Sequence, residues 1–286
     1  MIDANFAAAI ARDSTPGADT LTLEIGPGTG CLTRAILDAH PQSRVLAMEI
    51  DTGLMELLRT TFSAEIDAGR MTLLEGDALA GKHALSDAFV KEALAISARE
   101  HRPRRVLCAN LPYNIATPLL ANLAADREEL GVESAVATVQ RELAERLFGA
   151  PGSSDYGALT AFMSLRTKGS ITRRVGHEIF WPRPQVDSAV VSMTFLPFGD
   201  TAGVSGQGSG VSTEPGLLRE ETQAFQEFLQ KLFSQRRKQL RAALKPLVIP
   251  KDAGISEIQR AEDLAPDILL RLFRAVQQGD PAASKK

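Results

Sequence analysis

Cysteine and histidine are scarce in this chain, and their scarcity bears on two kinds of site. The only cysteines are Cys31 and Cys108, and no C-x-x-C spacing occurs. The histidines are far apart, at His40, His83, His101 and His177. Neither a disulfide framework nor a structural zinc site is therefore expected, and we predict that the protein uses no metal.

Long apolar runs are also missing. The first residues lack a basic segment followed by an apolar stretch, and no uninterrupted run reaches the roughly 18 residues that a membrane-spanning helix needs. Hydrophobic residues make up 44% and charged residues 23% of the chain, close to a globular average, so disorder is not indicated either. We expect a cytoplasmic monomer without a membrane partner.

Positive charge is in deficit overall, since the net charge is -3. One segment reverses this balance: from Lys231 to Lys245 the sequence KLFSQRRKQLRAALK carries lysines and arginines but no acid. We expect this run to lie on a helix. Seen alone, such a run is more often a solvated helix face, whereas beside a nucleic-acid site it is a phosphate-binding surface.

Short apolar runs bounded by turn residues predict a sheet. The predicted strands are residues 21–25, 44–50, 71–74, 105–109 and 134–139, followed by a closing antiparallel pair at 171–175 and 189–195. Helical stretches alternate with them at 32–39, 53–62, 85–98 and 118–125. This alternation predicts an α/β fold, namely a doubly wound, mostly parallel seven-stranded sheet covered by helices on both faces.

The composition changes after Pro197, which indicates a second module. Residues 199–216 are almost wholly small or polar and predict a flexible linker. Beyond them, apolar residues recur at helical spacing from Phe225 to Leu244 and again at 268–276. We therefore predict a catalytic domain over 1–198, a linker over 199–216 and a small helical domain over 217–286.

A glycine-rich turn follows the first strand. Glu24 and Ile25 lead into Gly26, Gly28 and Gly30, and a helix opens directly afterwards. Glycines let a ligand approach the backbone, and a helix N-terminus offers free N–H groups. An ordinary tight turn and a dinucleotide site share this pattern. The G-x-G-x-G spacing after an acid favours S-adenosylmethionine, because the acid attracts an ammonium group and repels a diphosphate.

Acidic residues end the next two strands as well. Glu49 can accept hydrogen bonds from both hydroxyls of a ribose, which also fits NAD. Asp77, followed by Ala78, can accept one from an adenine amine. Acids at three successive strand ends favour S-adenosylmethionine over NAD as the cofactor, although any one of them could be only a turn or a helix cap.

The fourth strand runs into Asn110-Leu111-Pro112-Tyr113. An exocyclic adenine amine is a poor nucleophile because its lone pair is delocalised into the ring. The Asn110 side-chain oxygen, which also borders the cofactor region, and the Leu111 carbonyl could accept both N–H groups and free that lone pair. Pro112 would keep the turn rigid and Tyr113 would stack on the base. The alternative is a plain strand end with Asn and Pro as turn formers.

These motifs together resemble a known family, the small-subunit rRNA adenine N6,N6-dimethyltransferases of the kasugamycin-resistance type. The resemblance spans nearly the whole chain and rests on LEIGPGTG, AMEID, EGDA, NLPYNIATPLL, VQRELAERL and the FWPRPQVDS segment from Phe180 to Ser188. By this resemblance, Phe180 and Tyr113 would sandwich the flipped target adenine. A buried core aromatic is the alternative for Phe180.

The basic run separates two branches of such enzymes. LFSQRRKQLRAAL is similar to the family's F-x-Q-R-R-K-x-L-R signature, which large-subunit rRNA methyltransferases of the erythromycin-resistance type generally lack. The resemblance implies RNA contacts by Arg236, Arg237, Lys238 and Arg241. It further implies transfer of four methyl groups to two adjacent adenosines, in the hairpin loop near the 3′ end of small-subunit rRNA, on the immature subunit.

Other functions stay open on the residues alone. A non-catalytic nucleic-acid-binding or assembly factor could keep this fold, and the enzyme could instead act on large-subunit rRNA, DNA or a small molecule. The chain also departs from the family pattern. Residues 81–104 and the linker are longer than expected, and Ile2 to Phe6 resemble the helix that follows a Gly-Gln-Asn-Phe-Leu-like cofactor-covering segment. On that basis we expect weak cofactor binding.

Overall fold

The computed structural model describes residues 3–14, 17–82, 84–102, 104–126, 129–180, 183–200, 216–245, 249 and 255–278. The chain forms two compact units, Met1–Ala144 with Gly169–Phe195, and Glu145–Lys168 with Leu196–Lys286. The predicted domains differ from this division, because Glu145–Lys168 belongs with the C-terminal unit. Most of the predicted linker, 201–215, lies outside the described residues.

A seven-stranded sheet forms the centre of the first unit. Its strands are β1 (Thr20–Ile25), β2 (Arg44–Glu49), β3 (Met71–Glu75), β4 (Arg104–Asn110), β5 (Val132–Gln140), β6 (Thr167–Val175) and β7 (Ser188–Phe195). The order is β3-β2-β1-β4-β5-β7-β6. Strands β1 to β5 pair in parallel, and β7 pairs antiparallel with β5. The predicted doubly wound, mostly parallel sheet is confirmed.

The central strands are predictable because they are buried on both faces. Every residue of β1 and β2 is buried, so their sequences read as continuous apolar runs with only a few polar interruptions. One core cluster joins helix residues such as Ile10 and Ile36 to sheet residues such as Val45 and Cys108. Burial of these side chains fixes the register of the strands and hence the positions of the loops that follow them.

Helices flank the sheet of the first unit. They are α1 (Ala4–Asp13), α2 (Cys31–Ala39), α3 (Thr52–Thr61), α4 (Ser63–Asp67), α5 (Asp87–Arg99) and α6 (Tyr113–Ala125), with α7 (Arg141–Leu147) after β5 and a 3₁₀ turn at His177–Ile179. Asp3 and Asp51 begin α1 and α3 as side-chain caps, each accepting a backbone N–H. No helix in the described parts of the chain has the length and apolar character to cross a membrane.

Helix α6 begins earlier than the predicted 118–125. The prediction used Pro118 as a helix start, but Pro118 lies inside a helix that begins at Tyr113. The Pro112 carbonyl accepts hydrogen bonds from Ile115 N and Ala116 N, both at 3.1 Å. The tetrapeptide predicted to be catalytic, residues 110–113, therefore forms the junction between β4 and α6, and Tyr113 is the first helical residue.

The second unit is helical, as predicted for the C-terminal region. It contains α8 (Ala158–Arg166), α9 (Thr222–Phe233), α10 (Leu240–Ala243), a 3₁₀ turn at Ala261–Asp263 and α11 (Pro266–Gln278). Helix α8 packs against both α9 and α11, which is why this earlier segment joins the C-terminal unit. The Tyr156 ring meets Phe233 edge-on at 5.7 Å, and its hydroxyl donates to the Leu264 carbonyl at 2.7 Å.

The expectation that the basic run lies on one helix is wrong. Helix α9 ends at Phe233, and residues 234–238 form turns before α10 begins at Leu240. The physical reason is a competing partner for the backbone. Leu240 N donates to Gln259 O at 2.9 Å and Arg241 N donates to Glu257 O at 3.0 Å, so these amides pair across to another segment.

Candidate cofactor and catalytic site

The carboxyl ends of four neighbouring parallel strands lie at one edge of the sheet. Ile25 is level with Met48, and Glu49 is level with Glu75. On the other side of β1, strand β4 ends at Asn110, level with Thr138 of β5. In open α/β sheets this edge is where ligands bind. Each of the predicted cofactor and catalytic motifs therefore follows a strand at the same edge.

The glycine-rich turn adopts a conformation that side chains rarely take. Gly26, Gly28 and Gly30 have φ angles of 66°, 60° and 83°. A Cβ atom at Gly26 would lie 2.9 Å from Pro112 Cγ, and one at Gly30 would collide with the Phe62 ring. A Cβ at Gly28 would meet no described atom within 4 Å. The outer two glycines thus permit close packing, whereas the middle one borders open space.

Glu49 is held against this turn by backbone donors. Its Oε2 accepts from Gly28 N at 3.0 Å, while its Oε1 accepts from Ile50 N at 2.9 Å and Asp51 N at 3.1 Å. The residue is 5% exposed, yet a carboxylate can accept about four hydrogen bonds, so capacity remains. Glu49 is therefore oriented in advance at the turn. Its contact with a ribose stays a prediction.

Glu24 lies beneath the turn in a different environment. It is buried and accepts a hydrogen bond from the Thr33 hydroxyl at 2.7 Å. Burial raises the pKa of Glu24 to about 8; repulsion by Glu49 acts in the same direction, and the hydrogen bond from Thr33 opposes it. The neutral form is therefore favoured at neutral pH. A cationic ligand nearby would instead favour the ionised form.

Asp77 and Ala78 follow β3. Asp77 is exposed, and its Oδ1 accepts from Leu79 N at 2.9 Å, which orients the carboxylate. Ala78 is buried. The preceding Gly76 N donates to the Glu49 carbonyl at 2.9 Å, so the turns after β2 and β3 are tied together. These interactions do not test the predicted contact of Asp77 with an adenine amine, which stays a prediction.

Asn110 has an unusual feature among the predicted site residues. Its side-chain oxygen Oδ1 is buried and has no hydrogen-bond partner among the described residues. The next residue, Leu111, is buried and donates its N–H to the Thr138 carbonyl at 3.1 Å. Because a buried acceptor without a partner is costly, such an atom is a candidate for an interaction with a ligand.

Tyr113 and Phe180 have different surroundings. Tyr113 is partly buried, and its hydroxyl lies 2.6 Å from the Ser188 hydroxyl. Phe180 is 7% exposed and belongs to the core cluster of the first unit. This position favours the core-aromatic interpretation of Phe180 in the present conformation. Its stacking on a flipped base stays a prediction.

The predicted RNA-binding residues of the second unit also differ from one another. Arg237, Lys238 and Arg241 are exposed. Arg236 instead pairs with Glu262, with Nε 2.8 Å from Oε2, and donates to the Ser154 carbonyl at 3.3 Å. Glu262 is only 16% exposed in its side chain. Arg236 therefore contributes to the packing of its own unit, and the other three present charge to solvent.

Histidines, cysteines and acids do not gather at this site in a way that suggests a metal. In the part of the chain that the structure describes, no group of three or more such residues is arranged to hold a metal ion. The two cysteines are free. That the protein needs no metal stays a prediction.

Comparison with known proteins identifies the family. Residues 1–199 match the model of the family described as ribosomal RNA adenine dimethylase. The chain belongs to this family. The protein is therefore an S-adenosylmethionine-dependent methyltransferase of ribosomal RNA, and the predicted family is confirmed.

Relatives of this dimethylase cover nearly its whole length. The ribosomal RNA small subunit methyltransferase A of Bifidobacterium longum is 34% identical, over 99% of this chain and 88% of that protein. The protein of the same name from Cereibacter sphaeroides is 34% identical over 96% and 89%, respectively. That from Moorella thermoacetica is 32% identical over 97% and 90%.

Solved structures resemble the dimethylase in fold. A dimethyladenosine transferase from Plasmodium falciparum has a TM-score of 0.68 at 20% identity and 95% coverage of both chains. The 23S rRNA methyltransferase ErmE has a TM-score of 0.61 at 22% identity, with 96% of this chain and 98% of that chain covered. At these identities the likeness shows the fold alone, and it agrees with the predicted methyltransferase fold.

Three further residues, which sequence reasoning missed, form hydrogen bonds with predicted site residues. Thr33 binds Glu24, Ser188 binds Tyr113, and Glu262 binds Arg236. Thr33 lies in the first turn of α2, directly after the glycines. A strand–turn–helix pattern could therefore have predicted that it lies near Glu24. Ser188 was visible as the end of the FWPRPQVDS motif, but no local signal paired it with Tyr113. No signal in the sequence indicated Glu262.

Proposed function

We propose that this dimethylase transfers methyl groups from S-adenosylmethionine to N6 of two adjacent adenosines. The target is the hairpin loop near the 3′ end of small-subunit rRNA, in the immature subunit. Support for the small subunit comes from relatives that are named for it and align over nearly all of the chain. Neither a large-subunit enzyme nor a non-catalytic assembly factor is favoured by these names.

The observation that carries the proposed chemistry is the buried Asn110 Oδ1, which has no hydrogen-bond partner among the described residues. An acceptor at the end of β4 suits an exocyclic amine, which needs its N–H groups bound before its lone pair can attack. The Leu111 carbonyl is the proposed second acceptor. Pro112, packed on Gly26, keeps both acceptors at a fixed place beside the glycine-rich turn.

The residues at the sheet edge fit the cofactor. When bound, S-adenosylmethionine supplies a methyl group on a positively charged sulfur. Three backbone donors leave the Glu49 carboxylate room for about one more hydrogen bond, so it would accept from one ribose hydroxyl, and Asp77 and Ala78 would contact the adenine. Open space next to Gly28 admits a ligand to the backbone. Glu24, which accepts a hydrogen bond from the Thr33 hydroxyl, would attract the cationic methionine end of the cofactor from beneath the turn.

Substrate binding is proposed to use the base-stacking and basic residues. The Tyr113 ring would stack on the flipped adenine, a contact worth roughly 1 to 3 kcal/mol per base. Arg237, Lys238 and Arg241 are exposed and would contact RNA phosphates. We further propose that the enzyme works as a monomer in the cytoplasm and without a metal.

One experiment tests the proposed function. Purified protein and tritiated S-adenosylmethionine are incubated with small subunits from an unmethylated strain and, in a parallel reaction, with large subunits, and the labelled bases are identified after digestion. We expect label as N6,N6-dimethyladenosine at two adjacent positions near the 3′ end of the small-subunit rRNA. Label confined to large-subunit rRNA would support the erythromycin-resistance alternative. Tight binding to the subunit without any transfer would support an assembly factor instead.

A further inference from the structure

We propose that Ser188 is a positioning residue for catalysis, which holds the Tyr113 ring in the orientation that receives the target base. The proposal rests on the proposed function. The contact is direct, since the Tyr113 and Ser188 hydroxyl oxygens are 2.6 Å apart, and either can donate. It joins the tetrapeptide after β4 to the first residue of β7, far away in sequence.

Ser188 has little freedom to move. It is 0% exposed, and it pairs with Gln140 at the end of the β5–β7 ladder. Just beyond the ladder, the Asp187 carbonyl accepts from Arg141 N at 2.9 Å, and the Asp187 carboxylate pairs with the Arg141 guanidinium at 2.9 Å. The hydroxyl of Ser188 is therefore carried by backbone that is fixed on both sides of it.

Tyr113 has greater need of such an anchor. It is the first residue of α6, and its ring is only partly buried. A side chain at a helix start that is not enclosed by core packing can occupy several rotamers, and ordering it when the base arrives costs entropy. A hydrogen bond at the tip of the ring selects one orientation beforehand. The flipped adenine is then aligned with Asn110 when it stacks.

Kinetics with matched variants test this role. Ser188→Ala removes the hydroxyl at nearly constant volume, and Tyr113→Phe removes the partner hydroxyl but keeps the ring. We expect each to lower kcat by about three- to tenfold, the effect of losing one neutral hydrogen bond. KM for the small subunit should hardly change, because phosphate contacts lie elsewhere. Ser192→Ala, the same substitution further along β7, is the control and should keep wild-type kcat.

The double variant decides whether Ser188 acts through Tyr113. If it does, Ser188→Ala combined with Tyr113→Phe is no slower than either single variant. Fully additive losses would overturn the proposal, because Ser188 would then act independently of the ring. If Ser188→Ala does not fold, Tyr113→Phe still probes the same contact from a partly exposed residue. A wild-type kcat for Tyr113→Phe would also overturn the proposal.

A spectroscopic readout separates this proposal from the proposed function. The chain contains 2 tyrosines, so protein labelled with ¹³C at tyrosine Cζ gives two assignable NMR signals. Tyr156, whose hydroxyl donates to Leu264, is the internal reference. Ser188→Ala should shift only the Tyr113 signal. An unmoved Tyr113 signal overturns the proposal even if the enzyme is active. If Ser188→Ala shifts the Tyr113 signal but the wild-type protein transfers no methyl groups, the contact is supported and the proposed function is contradicted.

Discussion

Replacing Asn110 with alanine is expected to separate activity from stability. The substitution removes the buried Oδ1 atom that has no partner among the described residues, and it leaves the Leu111 amide bonded to Thr138. In the resting protein this oxygen carries a desolvation cost without a compensating hydrogen bond. In the reaction it is the proposed acceptor for the target amine. The same atom is therefore unfavourable for folding and favourable for catalysis.

The magnitudes follow from these two roles. A buried polar group without a partner costs about 1–3 kcal/mol, so its removal offsets the packing that alanine loses, and the free energy of unfolding should stay equal or rise. Loss of one preorganised acceptor lowers the rate on the order of a hundredfold or more, equivalent to about 2.7 kcal/mol of transition-state stabilisation. We therefore expect near-complete loss of methyl transfer by a protein that is at least as stable.

The assay pairs single-turnover methyl transfer to unmethylated small subunits with urea unfolding. Thr22→Val is the matched control, because Thr22 Oγ1 is another buried atom without a partner among the described residues, in the middle of β1. It should gain stability and keep wild-type transfer. The reasoning is refuted if Asn110→Ala turns over near the wild-type rate. A marked loss of stability would show that Oδ1 has a partner in the folded protein.

Other variants test the cofactor and RNA residues. Glu49→Gln should weaken S-adenosylmethionine binding about tenfold or more in calorimetry, since a charged acceptor is lost. Arg237→Gln and Lys238→Gln should each flatten the slope of log affinity against log salt, by up to about 0.7 to 0.9. Arg236→Gln should leave that slope nearly unchanged but lower the melting temperature, because Glu262 loses its 2.8 Å ion pair and keeps the longer one to Arg260 at 3.7 Å. For Glu24, the folded protein holds a proton up to a pKa of about 8, whereas the unfolded chain releases it near 4.5. Wild-type stability in urea should therefore fall as pH rises between these values, and less so for Glu24→Gln.

Each of these expectations has a contrary result. Unchanged cofactor affinity in Glu49→Gln would remove that residue from the site. Salt slopes equal to the wild-type slope in all three basic variants would support the alternative that this run is a solvated surface. Parallel stability profiles for wild type and Glu24→Gln would mean that Glu24 ionises normally in the folded protein.

The central strands could be predicted from the sequence because they are buried on both faces. Runs such as residues 45–48 are apolar throughout, and turn residues follow the strands, so the strands and their mostly parallel pairing could be predicted from the alternation with helices. The glycines, Glu49 and Asn110 were located for the same reason: each follows a strand, and parallel strands bring their ends to one edge. Local sequence patterns were therefore sufficient to locate the strands and the residues that follow them.

Long-range partners could not be predicted in this way. The helix expected over the basic run fails because Leu240 and Arg241 pair with residues 257–259, which no periodicity reveals. The early start of α6 was missed because a proline usually marks a helix start, whereas Pro118 is tolerated inside this one. Contacts such as Arg236 with Glu262 depend on tertiary packing and leave no trace in spacing.

The contact between Gly26 and Pro112 has a consequence for inhibitor chemistry. Because a single methyl group at position 26 would already lie 2.9 Å from Pro112 Cγ, no side chain separates the turn after β1 from the turn after β4. A bisubstrate compound that joins a cofactor-like half to a purine half would therefore need only a short spacer. Lengthening the spacer should weaken its binding, since the added atoms contribute rotational freedom without reaching a new contact.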